Sequence, residues 1–563
     1  MTRSVHFVER MRWMPALVGA AVLALAVGVG FALASGQLRV AAPGSSTVSA
    51  QATAGSADPL DPRIAALAAR HPGQSIQAIV QFNERVSAAR AAIDANAHGR
   101  IIGNLPIIHG LAVQVTAAQA RALAANPDVH AVSLNTTVTP QSITPGLGIP
   151  TMPGSQPAAS NQLQTTYDQT LDVTPLWKFG VTGRGVGVAV IDTGIDGALP
   201  DFASANGNHS RVIVSAVDNA KATTAGDGYG HGTDVAGIIA GNGDSRPASD
   251  PLHGRYVGVA PNANLISIKV ADESGTATTL DAIYGLQFAV DHQADYNIRV
   301  VNLSFRSTSA GSYTTDPVDA AVEQAWFHGI TVVAAAGNLG TASDAVSYAP
   351  GNDPYVITVG AVDNQGTRST WDDVQASWSS RGQTQDGFMK PDVEAPGAHI
   401  VTTLSPGSSF ASACSTCVIG GAYFQLSGTS LAAPMVSGVA ADLLAAHPSW
   451  TPAMVKGAIV NTAQPLSDGG DEVRAMNAYW AYGSELSSDQ GLTPNNLIDP
   501  TTNSIDYNAA SWSAASWSTA TDPLAASWSA ASWSCLSCSS GGQGDVSPTA
   551  ASWSNVGWAT TLG

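Results

Sequence analysis

At 563 residues the chain is long enough for several structural units around a large core. Only 12% of it is charged, and 42 acidic against 24 basic side chains give a formal net charge of −18, which excludes nucleic acid as an expected partner. Low charge together with many Gly, Ala and Ser residues fits an exported globular protein rather than a disordered one.

Residues 1–36 read as a signal peptide or an N-terminal anchor. Arg3, Arg10 and Arg12 precede the uncharged run MPALVGAAVLALAVGVGFALA, which ends in the small-x-small signal Ala32-Leu33-Ala34. The run, at about twenty residues, is long for a signal core and close to the span of a bilayer, so both readings stand, and both put the bulk of the chain outside the cytoplasm. A small-residue linker follows over 37–59. Residues 60–136 read as a compact α+β unit, with strands at 77–82, 110–115 and 129–134. Helices are expected at 86–97 and at Ala117–Ala125, the second capped by Thr116. A Pro/Gly/Ser/Thr-rich connection over 137–165 leads into the largest unit, 166–484.

In that unit, continuous apolar strands alternate with helices. The strands are GVGVAVI (185–191), NLISIKV (264–270), RVVNLSF (299–305), ITVVAAAG (330–337) and YVITVGAV (355–362), with helices at 279–292 and 316–328. Strands without polar alternation, joined by helices, specify an α/β fold: a parallel sheet covered by helices on both faces, with its chemistry at the carboxyl ends of the strands. Residues 485–563 form a Ser/Ala/Trp-rich, low-complexity tail holding five Ser-Trp-Ser triplets, centred on Trp512, Trp517, Trp528, Trp533 and Trp553. Four cysteines occur as Cys414/Cys417 and Cys535/Cys538. Two short disulfides, free thiols and a metal site are the alternatives, and an oxidising compartment favours the first.

The stretch SGTSLAAPMV (427–436) sets Ser427, Thr429 and Ser430 against an apolar helix expected over Leu431–Ala446. Pro434 is expected in the first turn of that helix, which puts Ser430 at its positive N-terminus, as a cap or as a nucleophile. Asp192 ends the strand VGVAVID. His231 lies between two glycines ahead of an apolar helix, and Asn338 closes ITVVAAAGN at another strand end. Acyl transfer needs a nucleophile, a base that titrates near neutrality, a carboxylate to orient the base and an oxyanion donor, and these four residues supply one of each.

The order Asp, His, Ser, carried by VIDTGID, GHGTDVAG and SGTSLAAPMVSG, resembles the subtilases, the subtilisin-like serine peptidases. The resemblance covers about residues 180–465 and extends to AAAGN, YAPGNDPYVITVGAVD, SWSSRG and KPDVEAPG. It implies Ser430 as nucleophile, His231 as base, Asp192 as its orienting carboxylate and Asn338 as oxyanion donor, with Thr429 and Ser427 shaping the approach. It also implies polypeptide substrates, bound as a strand between Ser274-Gly275-Thr276 and Ser304-Phe305-Arg306. Residues 60–136 are then similar to a prodomain that inhibits the cleft intramolecularly, with autoprocessing inside 137–165. No cofactor is needed for catalysis on this reading. Asp201 matches a calcium-ligand position of the family, although the loop 242–256, with Asp244 and Asp250, does not obviously keep the rest of that site.

Three positions depart from the family pattern: Asp234 in place of a second histidine, Met435 in place of another, and Arg306 in place of a glycine that lines the pocket for the residue before the scissile bond. Arg306 is expected to narrow that pocket or make it cationic, unless it turns to solvent or pairs with an acid such as Asp316. Two other functions remain on the sequence: a non-catalytic surface-binding protein that contacts a cell surface or polymer through its Trp-rich tail, and a sedolisin-type acidic peptidase, which shares SGTS but not the GHGT histidine.

Overall fold

The computed structural model describes residues 58–83, 86–140, 165–481, 488–489, 491–495, 532–533 and 559–560. The signal or anchor segment, the linker after it, most of 137–165, nearly all of the tail and the pair Cys535/Cys538 lie outside these residues.

The N-terminal unit begins with α1 (Pro62–Arg70), whose cap Asp61 accepts a hydrogen bond from the Arg63 amide while Pro62 fills the first helical position. It continues through β1 (Ser75–Phe82), α2 (Ala88–His98), β2 (Arg100–Leu105), β3 (Gly110–Thr116), α3 (Ala117–Ala124) and β4 (Val129–Leu134). The sheet is antiparallel in the order β2-β3-β1-β4. Thr116 forms a reciprocal capping box with Gln119 at the start of α3. The sequence reading did not foresee α1 and β2.

The two-residue period of the strands explains why this sheet is apolar on both faces. Ile76, Ala78, Val80 and Phe82 of β1, with Leu111, Val113 and Val115 of β3, close a small core of their own. Ile79 and Ala112, on the opposite face, belong with Leu105, Ile107 and Ile108 to the core of the larger domain.

That domain is a parallel sheet in the order β14-β13-β12-β10-β6-β8-β7, built from β6 (Gly187–Asp192), β7 (Val212–Val217), β8 (Asn264–Lys269), β10 (Ile298–Leu303), β12 (Thr331–Ala335), β13 (Ile357–Asp363) and β14 (Val393–Pro396). Two short strands, Gln464–Pro465 and Asp471–Glu472, extend its edge beyond β14. On one face, α4 (His231–Ala240) packs against α8 (Thr429–Ala446), which follows the short α7 (Ser409–Ala413), and α8 also meets β10, β12, β13 and β14. On the other, α5 (Thr279–Asp291) packs against α6 (Pro317–Phe327). The N-terminal unit rests on this second pair, and the Ile107 amide donates to Gln287 Oε1 of α5 at 2.7 Å. Asp192, Leu303 and Ala335 end their strands on one rim of the sheet, where the site is assembled.

Candidate active site

The carboxyl end of β6 presents Asp192, and α4 starts on His231. Gly230, which caps α4, has φ 111°, and a Cβ there would stand 2.7 Å from Ser408 Oγ, so the position needs glycine. His231 Nδ1 donates to Asp192 Oδ1 at 2.8 Å, and the Thr193 amide donates to the same oxygen at 2.7 Å. Both side chains are buried. With Nδ1 engaged by a carboxylate, Nε2 is left as the acceptor end of the ring, and it has no hydrogen-bond partner.

Asp227, which the sequence reading missed, holds this arrangement from behind. Its Oδ1 accepts from Thr193 Oγ1 and the Gly230 amide, and its Oδ2 accepts from the Thr233 amide, so one buried carboxylate ties the end of β6 to the first turn of α4. The fully buried Lys269 Nζ donates to the Thr193 and Gly226 carbonyls, fastening the same two loops. Burial pulls the His231 pKa down, but the negative charges of Asp192 and Asp227 outweigh it and leave it above the ordinary imidazole value.

The helix that carries Ser430 starts earlier than expected. It runs from Thr429, so Pro434 lies in its second turn rather than its first. Proline has no N–H, so the Ser430 carbonyl four residues back loses its helical partner. Ser304 Oγ replaces it, donating to the Ser430 carbonyl at 2.9 Å. Ser304 Oγ in turn accepts from Asn302 Nδ2, and Asn302 Oδ1 accepts from Ser437 Oγ, so a buried polar chain fixes the turn that carries Ser430 to the end of β10. Ser430 Oγ itself is buried and has no hydrogen-bond partner.

Asn338 follows β12 and Gly337. Its Oδ1 accepts from both the amide and the hydroxyl of Thr429, each at 3.0 Å, and Thr429 Oγ1 accepts from the Gly337 amide. Fixing Oδ1 on Thr429, the residue before Ser430, identifies Nδ2 as the outward, donating end of the amide. Ser427 Oγ accepts from the His399 amide and holds the approach to the helix.

A strand of the chain itself lies beside this constellation. β5 (Thr137–Pro140) runs antiparallel between β9 (Ala277–Thr278) and β11 (Phe305–Ser307). Pro140, Thr139 and Val138 face Phe305, Arg306 and Ser307, while Thr137 and Val138 face Thr278 and Ala277 on the other side. Of the expected edge Ser304-Phe305-Arg306, Phe305 and Arg306 pair with β5, Ser307 continues the pairing, and Ser304 lies one residue before it. On the opposite side, Thr137 and Val138 pair with Thr278 and Ala277, and Ser274, Gly275 and Thr276 form the adjoining turn, in which Asp272 Oδ1 accepts from the Ser274 and Thr276 amides.

Residues 183–479 match the sequence profile of the subtilase family, more than half of the chain. The chain belongs to the subtilase family. Serine protease AprX of Bacillus subtilis strain 168 is 37% identical to this subtilase over 309 residues, covering 54% of the chain and 67% of AprX. Subtilisin E of the same strain is 35% identical over 291 residues, covering 51% of the chain and 63% of its own length. The chain thus spans about two thirds of these two relatives. The crystal structure of fervidolysin from Fervidobacterium pennivorans, a keratinolytic enzyme related to subtilisin, aligns with 73% of this chain and 62% of its own, at 26% identity and TM-score 0.53. Fold class and family agree with the sequence reading, and this subtilase carries a subtilisin-like serine peptidase domain.

Asp201 does not fit a calcium ligand in this subtilase. Its Oδ1 accepts from the Gly243 amide at 2.7 Å and its Oδ2 from Thr403 Oγ1, while the Arg211 guanidinium donates to its carbonyl. Burial pushes its pKa up to about 6, so the carboxyl favours a proton more than an ordinary aspartate does. Asp250 is paired with Arg246, and among the described residues no group of three or more His, Cys, Asp or Glu side chains converges to hold a metal ion.

The remaining departures resolve into packing and local bonds. Met435 is buried in the core. Asp234 is fully buried, and burial first, then the charges of Asp227 and Asp192, push its carboxyl well above the usual range. Arg306 does not meet Asp316, which caps α6 by accepting from the Val318 amide. Cys414 and Cys417 form a disulfide, one of the alternatives left open by the sequence.

Proposed function

We propose that this subtilase is an exported serine endopeptidase that hydrolyses polypeptides through an acyl-enzyme on Ser430. The observation that supports it best is a pair of buried, unpartnered atoms, Ser430 Oγ and His231 Nε2, on helices that pack together, with the far side of the imidazole held by Asp192 at 2.8 Å. A buried hydroxyl and a buried ring nitrogen without partners are costly unless they serve each other and a substrate.

In the reaction, His231 Nε2 takes the Ser430 proton as Oγ bonds to the substrate carbonyl carbon. The carbonyl π pair moves onto oxygen, where Asn338 Nδ2 and the positive start of α8 stabilise it. Asp192 stabilises the imidazolium and holds its tautomer. As the C–N bond breaks, His231 returns the proton to the leaving amine. Water then repeats the sequence on the ester and releases the acid.

The chain is made, on this reading, as a precursor whose residues 58–136 dock on α5 and α6 and deliver β5 into the cleft as an intramolecular inhibitor. Cleavage of its own connection frees the cleft. Export rests on the basic and apolar residues of 1–36 and fits the disulfide Cys414–Cys417, since such bonds persist in oxidising compartments.

Labelling of the purified protein by a fluorophosphonate, alongside casein hydrolysis, tests the reading. Wild type should label and digest casein near neutral pH, and Ser430→Ala should do neither. Labelling confined to acid pH would favour the sedolisin reading, and no labelling at any pH would leave a binding protein.

A further inference from the structure

Arg306 lies at the point where the bound strand meets the catalytic residues. It faces Thr139 across β11 and β5. Ser304, two residues before it, bonds to the Ser430 carbonyl. Continuing the antiparallel register by one step past Pro140 and Phe305 sets the next substrate residue opposite Ser304, beside the nucleophile. Side chains two apart on a strand share a face, and diagonal neighbours across a strand pair touch when one of them is long. The substrate residue on the acyl side of the scissile bond therefore projects on the face that Arg306 occupies. The arginine stem also runs toward the oxyanion loop: a Cβ on Gly337, the residue before Asn338, would lie 3.7 Å from Arg306 Cδ.

The guanidinium is held but its charge is not neutralised. Its carbon lies 4.4 Å from the centre of the Tyr348 ring, and one Nη donates to the Ser307 carbonyl at 3.2 Å. Nε is buried and has no hydrogen-bond partner among the described residues. The acid on this wall, Asp344, is exposed and accepts from the Tyr348 hydroxyl. A planar cation stacked on an aromatic face, with a donor unused, is a ready receptor for a carboxylate or amide oxygen. It also fills space that a large apolar side chain would need. In the chain's own sequence the residue after Pro140 is Gln141, which carries such an oxygen and lies outside the described residues.

We propose that Arg306, stacked on Tyr348, makes the pocket for the residue before the scissile bond cationic and short, so that the enzyme cleaves after acidic residues, then after glutamine, in preference to aromatic and long aliphatic ones. This rests on the peptidase reading above.

The test compares kcat/KM on quenched peptides that differ only in the residue before the cleaved bond (Glu, Asp, Gln, Phe or Leu). The enzymes are wild type produced from the full chain, Arg306→Gln, which keeps most of the stem, and Arg306→Lys, which keeps the charge. Wild type should favour Glu over Phe, and Arg306→Gln should lower that ratio roughly 10–150-fold, the worth of a charge-assisted hydrogen bond. Arg306→Lys should retain part of the preference, and added salt should weaken it in wild type. A wild-type preference for Phe or Leu, an unchanged ratio in Arg306→Gln, or an acidic preference only two residues further upstream would overturn the proposal while peptide cleavage stands. Absence of any cleavage together with absence of fluorophosphonate labelling would overturn the peptidase reading, and this proposal with it.

Discussion

Two of the buried polar clusters in this domain are finished differently. Around Lys456, Nζ donates to the Pro354 carbonyl at 2.8 Å and the Val356 carbonyl at 2.9 Å and pairs with Asp392 Oδ1 at 3.3 Å. Lys390 Nζ pairs with Asp392 Oδ2 at 2.7 Å, and the Thr358 amide donates to that oxygen as well. Each charge there is answered. Around Ser430, the bonds that orient the groups are complete, yet Asp192 Oδ2, His231 Nε2 and Ser430 Oγ have no partners. Other unpartnered buried oxygens among the described residues, on Asp319 and Asp442 for example, belong to carboxyls that burial pushes well above the usual range, which eases the cost of holding them there. A buried hydroxyl beside a helix N-terminus has no such escape. On the proposed function, the contrast separates a cluster that holds the fold from one kept open for a reactant.

The comparison is broken most severely by Ser430→Ala. Proteolysis should fall by about 10⁶-fold, the magnitude known for loss of the nucleophile in a subtilisin, while the unfolding midpoint in denaturant stays close to wild type. A large stability loss would put Ser430 with the structural cluster instead. Lys456→Met, made in the Ser430→Ala background to prevent self-digestion, should show the converse. Removing one partner leaves Asp392 less compensated, and unfolding in guanidinium should show a loss of about 3–5 kcal/mol.

Asn338→Ala should lower kcat by about 10²–10³-fold with little change in KM, the size found for the corresponding donor of a subtilisin. A change confined to KM would mean that Asn338 binds substrate without stabilising the oxyanion. The smallest effect sharpens the role of Asp227. On the proposed mechanism neutral His231 is the base, so kcat/KM on a peptide should rise with pH through the His231 pKa, which lies above the ordinary imidazole value. Asp227→Asn removes one of the charges that raise it, so the acid limb of the profile should move to lower pH. A limb that stays in place would restrict Asp227 to holding α4.

The parallel sheet and the four central residues were legible because each rests on a local signal: an unbroken apolar strand, a glycine beside an element end, or a helix apolar on all sides. The start of α8 was misplaced by two residues because Thr429 and Ser430 look like cap residues, whereas their hydroxyl and carbonyl bonds run to Asn338 and Ser304, far away in sequence. Lys269 and Asp227 were invisible for the same reason. A lysine in NLISIKV looks like a strand end at solvent, and only the folded loops show it sealed beneath Thr193 and Gly226. The turn that Asp272 organises over Ser274–Thr276, beside the paired Ala277 and Thr278, is likewise something spacing alone does not reveal.

The two faces of the N-terminal sheet bear on the order in which the molecule assembles. Within that unit, strands pair with near neighbours in the chain: Ile79 lies opposite Ala112 and Ser133. In the larger sheet, Val188 must find Leu265 on one side and Val300 on the other, so long loops close before any pairing is gained. Local antiparallel sheets form faster than parallel ones with such distant contacts. The 58–136 unit should therefore be structured first, presenting Leu105, Ile107 and Ile108 as an apolar surface on which α5 and α6 can settle. On the proposed reading, the unit that carries β5 to the cleft would thus begin as the nucleus on which the cleft is built.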